Sequence, residues 1–243
     1  MEIAKRVLRA TRKLSKEVSV LEFADPVTHV YNPLDYAAKS HNDYIARFAR
    51  AKKRVVFLGM NPGPWGMSQT GVPFGEVSWV RDWLGIEHPV RRPKVEHPKR
   101  PVTGFACTRS EVSGSRVWGH VATHFKTPER FFAKHYIANY CPLVFMEEGG
   151  RNRTPDKLLA SEREALFEIC DRHLVQLVDI LEPAWVIGIG AFAKKRAELA
   201  LGTAGPKIET ILHPSPANPR ANADWSGIVR GQLADLGLCK CPN

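Results

Sequence analysis

Arg54-Val-Val-Phe-Leu-Gly-Met-Asn-Pro-Gly-Pro64 is an apolar, β-branched run that starts beside charge and ends in turn residues. It is too short for a helix and lacks polar alternation, the pattern of a strand buried on both faces. Asn61-Pro62-Gly63-Pro64 then stops the strand and feeds a loop. The same grammar recurs downstream: His135-Tyr-Ile-Ala-Asn139 leads into Tyr140-Cys-Pro142, Trp185-Val-Ile-Gly-Ile189 into Gly190, and Lys207-Ile-Glu-Thr-Ile-Leu212 into His213-Pro214. Helical patterns fill the intervals. One covers residues 155–181, opened by Thr154-Pro155 as cap and first-turn proline; another covers 191–201 and ends at Gly202. Upstream, Ile3, Val7, Leu8, Leu14 and Val18 recur at helical spacing among Lys and Arg, so residues 2–18 read as an amphipathic helix with a basic outer face. After Asn32-Pro33 a second helix is expected over 34–51. Strands alternating with helices imply an α/β fold: a single domain over 1–243, with a central, mainly parallel four-stranded sheet, helices on both faces, and residues 1–30 as a helical extension.

The composition narrows the partners. The 243 residues are 44% hydrophobic, enough to cover both faces of a sheet within one core. The longest apolar stretch, Ala184 to Ala193, is far shorter than the roughly 20 residues needed to span a bilayer, so no membrane association is expected. Met1 to Arg12 lacks the apolar segment and cleavage site of a secretory signal. The expected compartment is the cytoplasm in a bacterium and the nucleus in a eukaryote. Five cysteines without a Cys-x-x-Cys argue against both a disulfide framework and a thiolate metal cluster, and no metal or cofactor is expected. A net charge of +10 points to a polyanionic partner. The proline-rich stretch His88 to Arg100, with Arg91, Arg92, Lys94, Lys99 and Arg100, reads as a loop: either a solvated excursion or a phosphate-contacting arm.

In open parallel sheets, ligands bind beyond the carboxyl ends of the strands. Asn61, Asn139 and His213 stand at three such exits, each bordered by Pro or Gly or by a turn. An amide such as Asn139 can pair with a donor and an acceptor on a nucleobase edge; it can equally cap a strand end. Asn61 suits ordinary turn chemistry, and His213 could be a structural histidine. Trp65 and Phe74 lie in the Gly- and Pro-rich loop from Asn61 to Glu76, which is not expected to be helical. Trp65 reads as a loop anchor and Phe74 as a ring able to stack on a base.

The run Gly59-Met-Asn-Pro-Gly-Pro-Trp-Gly-Met-Ser-Gln-Thr-Gly-Val-Pro-Phe-Gly75, paired with His213-Pro-Ser-Pro-Ala-Asn-Pro-Arg-Ala-Asn222, closely resembles the single-strand-selective monofunctional uracil-DNA glycosylases of the wider uracil-DNA glycosylase superfamily. Ser110-Glu-Val-Ser-Gly-Ser-Arg-Val-Trp-Gly119 and Asn139-Tyr-Cys-Pro-Leu143 also look like segments of that family, in order from about residue 30 to the C-terminus. The resemblance implies a monomeric glycosylase that flips uracil out of single-stranded, and to some extent double-stranded, DNA and leaves an abasic site. It implies Asn61 as the residue that positions water and His213 as the one that stabilises charge on uracil O2. It implies Asn139 as the base reader, Phe74 as the stacking ring and the Met60 N–H as a further donor to the base. Gly63 takes the place where another branch of the superfamily sets a bulky aromatic against uracil C5, so room for 5-substituted uracils such as 5-hydroxymethyluracil is expected. Pro214, Ser215, Ala217 and Arg220 fall in the DNA-contacting wedge, ahead of a helix from about Ala223. Ala217 departs from the arginine common there, and a methyl group neither plugs a vacated base position nor contacts phosphate. Three alternatives stay open: a glycosylase of the same fold for another lesion such as hypoxanthine, a non-enzymatic nucleic-acid binder, and a hydrolase of free nucleosides.

Overall fold

The computed structural model describes residues 2–239. The chain runs α1 (Glu2–Val18), β1 (His29–Tyr31), α2 (Pro33–Tyr36), α3 (Ala38–Phe48), β2 (Val55–Gly59) and the one-turn α4 (Met67–Thr70). There follow α5 (Val112–Phe125), α6 (Pro128–Phe132), β3 (His135–Asn139), β4 (Val144–Met146) and β5 (Asn152–Arg153). The last third holds α7 (Ala160–Leu181), β6 (Trp185–Ile189), α8 (Ala191–Leu201), β7 (Lys207–Ile211) and α9 (Pro219–Asp235).

The four strands expected from sequence form one sheet in the order β3-β2-β6-β7, with every pairing parallel. All five residues of β2 are buried, as a central strand covered on both faces requires. Val55, Phe57, Ile189 and Ile211 face Val117 and Val121 of α5 and Trp225 and Val229 of α9 across a small apolar cavity. On the other side, α1 packs on α3 and α7, and α8 packs on β6 and β7. The amphipathic helix α1 buries Ala4, Val7, Ala10, Thr11, Leu14 and Val18 and leaves Lys5, Arg9, Arg12, Lys13 and Lys16 exposed. Those apolar side chains belong to the main core. No helix among the described residues is long and apolar enough to cross a membrane.

Several boundaries differ from the sequence reading, each for a local reason. A second, antiparallel sheet of order β1-β4-β5 was not expected, because its strands are only two or three residues long and β4 is buried throughout. The helix expected over 34–51 is two helices, α2 and α3: the Tyr36 carbonyl is taken by the Arg91 N–H at 3.0 Å, and Ala37 leaves helical geometry. Thr154-Pro155 opens a separate single turn, Pro155–Lys157, and not the long helix. Leu158 is extended and buried, so α7 starts only at Ala160, where the Glu162 side chain accepts from the Leu159 N–H. The loop from Asn61 to Glu76 contains the helical turn α4, whose Ser68, Gln69 and Thr70 are all buried. Helix α9 begins at Pro219, earlier than expected, with Asn218 as its cap; it breaks at Asp224, which caps the continuation through the Gly227 N–H at 2.8 Å. The basic stretch 88–100 is a loop tied down at both ends. Arg91 pairs with Asp35 at 2.8 Å, the Tyr31 hydroxyl accepts from the His97 N–H and donates to the Arg100 carbonyl, and Arg92, Lys94 and Lys99 remain exposed.

Helix α8 seats its first turn directly on β6 at Gly188, where a Cβ would overlap the backbone of Lys194. Backbone cannot swing aside as a flexible side chain can. Gly188→Ala is therefore expected to destabilise the protein by about 1–3 kcal/mol, the usual cost of overpacking, read from urea unfolding midpoints. An unchanged midpoint would show that α8 slides freely on the sheet.

Candidate active site

The parallel register sets Gly59 of β2 opposite Asn139 of β3. A Cβ on Gly59 would overlap both the Asn139 Oδ1 and the edge of the Phe74 ring, so only glycine lets amide and ring meet there. Asn139 Nδ2 contacts the Met67 thioether at 3.3 Å, a weak acceptor, and Oδ1 is buried with no hydrogen-bond partner. Such an orphaned acceptor costs about 1–3 kcal/mol, a penalty that a ligand donor would remove. Phe74 adopts a left-handed backbone with φ 53°, a strained conformation for a non-glycine residue. It is held there by the Glu76 N–H on its carbonyl and by the Thr70 hydroxyl on the next one.

Asn61 commits its amide NH2 to the Leu143 carbonyl at 3.1 Å, which leaves Oδ1 as its acceptor. At the end of β7, His213 packs on Gly190, whose φ of 96° and missing side chain admit the ring. The Ser215 N–H donates to His213 Nδ1 at 3.1 Å, so Nδ1 is unprotonated and the neutral ring carries its hydrogen on Nε2. Burial pushes the His213 pKa below its usual 6.5, which keeps the ring neutral at pH 7.

These parts converge. Met60, Asn61, Pro62, Gly63, Met67, Phe74, Glu111, Ser113, Asn139, Asn152, Thr154, His213 and Ser215 line one cavity of about 250 Å³ at the carboxyl ends of the sheet strands. Holding a single water takes only about 10–15 Å³ by a comparable measure. A second cavity of about 110 Å³ lies between one face of the sheet and helices α5 and α9 and is lined mainly by apolar side chains. It has no converging amides.

Of the residues singled out from sequence, Met60, Asn61, Gly63, Phe74, Asn139, His213 and Ser215 line the cavity. Pro214, Ala217 and Arg220 do not; Pro214 is buried beside it, Ala217 stands exposed on the loop that leads into α9, and Arg220 is exposed in the first turn of that helix. That loop is braced by Arg116 of α5, which donates to the Pro214 carbonyl at 2.9 Å and to Asn222 at 2.8 Å. The guanidinium groups of Arg100 and Arg109 sit over the Trp65 ring, 5.3 and 4.8 Å from its centre.

Pro62, Met67, Glu111, Ser113, Asn152 and Thr154 also line the cavity without having been singled out from sequence, and Asn152 and Glu111 bear most on its chemistry. Asn152, on the unexpected strand β5, presents a second buried amide oxygen without a partner. Glu111 sits at the N-cap of α5 but makes no side-chain cap hydrogen bond, and its carboxyl fills the space beside Gly63, Gly66 and Gly114. The room expected at Gly63 is therefore bordered by a carboxyl group, not empty. Burial, reinforced by the nearby Glu76 charge and partly offset by the Gly63 N–H, pushes the Glu111 pKa up to about 7. The signal was present in Ser110-Glu-Val-Ser-Gly114, a lone acid among small residues in a segment otherwise noted only for its resemblance.

A parallel α/β sheet that ends in a cavity of three amides, a neutral histidine and a strained aromatic ring defines a protein built to hold a planar, hydrogen-bonding heterocycle. Residues 46–228 match the uracil DNA glycosylase superfamily. The chain is 48% identical over 238 residues to the single-strand selective monofunctional uracil DNA glycosylase of Mus musculus, covering 97% of this chain and 85% of that one. It is also 47% identical to the Bos taurus protein of the same name, covering 97% of this chain and 88% of that one. The crystal structure of Pedobacter heparinus SMUG2 shares the fold, with a TM-score of 0.69 at 17% identity over 97% of both chains. The chain belongs to the uracil DNA glycosylase superfamily.

Because the folded His213 binds its proton less readily than a free imidazole, stability tied to it is present above pH 6.5 and is lost as pH falls towards its lowered folded value. Nitrogen-detected NMR of the His213 ring is expected to show the Nε2–H tautomer at pH 7 and a titration midpoint below 6.5. A midpoint above 6.5, or the Nδ1–H form, would contradict the assigned donor.

Proposed function

We propose that the chain is a DNA repair glycosylase that takes uracil, everted from DNA, into this cavity and hydrolyses its N-glycosidic bond to leave an abasic site. The observation that carries the reading is the meeting of Asn61, Asn139 and His213 around a single cavity beside Phe74. The relatives' names and the net charge of +10 support it independently.

The roles follow from the donors and acceptors available. Asn139 Oδ1, unpaired when the cavity is empty, accepts from uracil N3–H, and the amide NH2 exchanges its weak thioether contact for uracil O4. Cytosine offers the opposite pattern at those atoms and leaves both groups unsatisfied, a mismatch that selects strongly. Phe74 stacks on the ring, and Met60 supplies a backbone donor. As the C1′–N1 bond breaks, charge gathers on uracil O2, and the His213 Nε2–H meets it there; this interaction strengthens in the transition state. Asn61 Oδ1 orients the water that captures the sugar.

Gly63 leaves the C5 side of the base free of an aromatic wall, and the polar Glu111 carboxyl behind it suits a hydroxyl group, so 5-hydroxymethyluracil is a second substrate. Pro214, Ser215, Ala217 and Arg220 form the rim that meets DNA, with Arg220 as its cation. The Ala217 methyl fills little of a vacated base position, so single strands, which cost less to unstack, are the better substrate.

A uracil-containing oligonucleotide incubated with the protein and heated in alkali is expected to break at the uracil, and one with 5-hydroxymethyluracil to break more slowly. An intact uracil strand would end the proposal. In single turnovers, His213→Ala is expected to lower the rate about 10²–10³-fold, by analogy with the loss of an oxyanion donor. Asn139→Ala is expected to cost at least about 100-fold on uracil. Asn61→Ala should cost less than the histidine change, because orientation alone is lost; a much larger loss there would reverse the assigned order of importance.

A further inference from the structure

Asn61 solves only half of the water's problem. When water adds to C1′, it must shed a proton, and an amide cannot accept one near neutral pH. The lining of the cavity holds two titratable side chains, His213 and Glu111. His213 keeps its hydrogen on Nε2 as the donor to the base and uses Nδ1 for the Ser215 N–H, so neither nitrogen is open. That leaves Glu111.

We propose that Glu111 is the proton acceptor for the hydrolytic water, the catalytic base that Asn61 cannot be. The inference rests on the reading of the cavity as a uracil-excising site. The carboxyl lies within 2.5 Å of the point that a Cβ on Gly63 would occupy, two residues along the loop from Asn61. Gly63 and Gly66 lack the atom that would collide with it first, and a Cβ on Gly114 would overlap the Phe74 carbonyl and then the same carboxyl, so glycines keep its space clear. In place of capping α5, whose first turn its position would serve, Glu111 turns to the cavity.

The charged surroundings fit the role. The loop 59–66 brings no titratable side chain, only the Gly63 N–H. The segment 74–76 brings Glu76, a like charge that raises the proton affinity of Glu111. On its own helix, Arg116 is engaged by Pro214 and Asn222, and Arg109 just upstream stacks on Trp65. Across the cavity stands neutral His213, and Asn152, Thr154 and Ser113 are uncharged. The result is a carboxyl with a pKa of about 7, close to working pH, where a base both is ionised and still binds a proton well. In the step, the C1′–N1 bond breaks and its electron pair leaves with uracil, held at O2 by His213. A water oxygen forms the new C1′–O bond, and its proton passes to the Glu111 carboxylate.

Glu111→Gln keeps the size of the side chain and an oxygen for the Gly63 N–H but cannot take the proton. Single-turnover excision of uracil from a single-stranded oligonucleotide is measured from pH 5.5 to 9 for the wild type, Glu111→Gln and Glu111→Asp. The wild-type rate is expected to rise with pH up to about 7 and then level off. Glu111→Gln is expected to lose that rise and to run about 100-fold slower at pH 8. Glu111→Asp, a shorter carboxylate, should be slower than the wild type yet keep the rise. Uracil-oligonucleotide binding and thermal unfolding, measured on the same proteins, should stay near wild type for Glu111→Gln. Overturning results are a Glu111→Gln rate within about threefold of wild type, a slower rate that keeps the wild-type pH dependence, or a loss explained by weaker binding or unfolding. If the wild type itself makes no abasic site, the reading of the cavity fails; if it does and Glu111→Gln matches it, only the role of Glu111 falls.

Discussion

The site depends on an atom that is absent. At Gly59 the central strand carries no Cβ, and into that gap come the Asn139 amide oxygen from the neighbouring strand and the edge of the Phe74 ring from the following loop. The parallel register that sets Gly59 opposite Asn139 is held by rigid backbone pairing on a fully buried strand, so the gap has no freedom to close. With amide and ring fixed against each other, the loop from Asn61 to Glu76 has one path open to it. The left-handed turn at Phe74 is a cost accepted along that path.

Two kinds of group result, and the fold keeps them apart. Asn139 is locked by sheet geometry and Phe74 by the turn after α4, where position matters and charge does not. His213 and Glu111 are titratable, and each is tuned through one backbone N–H. The Ser215 N–H on Nδ1 fixes the tautomer of His213, while burial removes its charge. At Glu111, burial and Glu76 outweigh the Gly63 N–H and push the proton affinity the other way, towards neutrality. Two groups in a single cavity thus end with opposite tasks available near neutral pH: the imidazole donates, and the carboxyl can accept.

The legible part of the fold is the part written in long or repeated patterns. Buried strands of five residues that end in Pro or Gly, and the 17-residue amphipathic helix α1, announce themselves by periodicity and punctuation. Three strand exits then sufficed to pick out Asn61, Asn139 and His213. The antiparallel sheet was illegible because strands of two and three residues carry no period, and with it went Asn152, whose importance lies only in where β5 sets it. Thr154-Pro155 misled because a cap and a proline open a single turn as readily as a long helix; burial of Leu158 decided between them. Glu111 was hidden for another reason. An acid before a helix reads as a cap, and nothing local says that three glycines, two of them some fifty residues upstream, have cleared a space for its carboxyl.

The same logic bears on the rim. Ala217 offers no side chain to hold its loop, so the shape of the loop must come from elsewhere, and Arg116 supplies it by bonding the Pro214 carbonyl and Asn222 together. Asn222 in turn donates to the Pro216 carbonyl, and Ser215 Oγ accepts from the Ala217 N–H, so the backbone around the small residue is tied from both ends. A loop so braced needs little further ordering on meeting any partner, which lowers the entropic cost of contact. What an alanine gives up in side-chain contact, the loop recovers in part by being already in shape, and Arg220 stands exposed at the start of α9, beyond the braced segment.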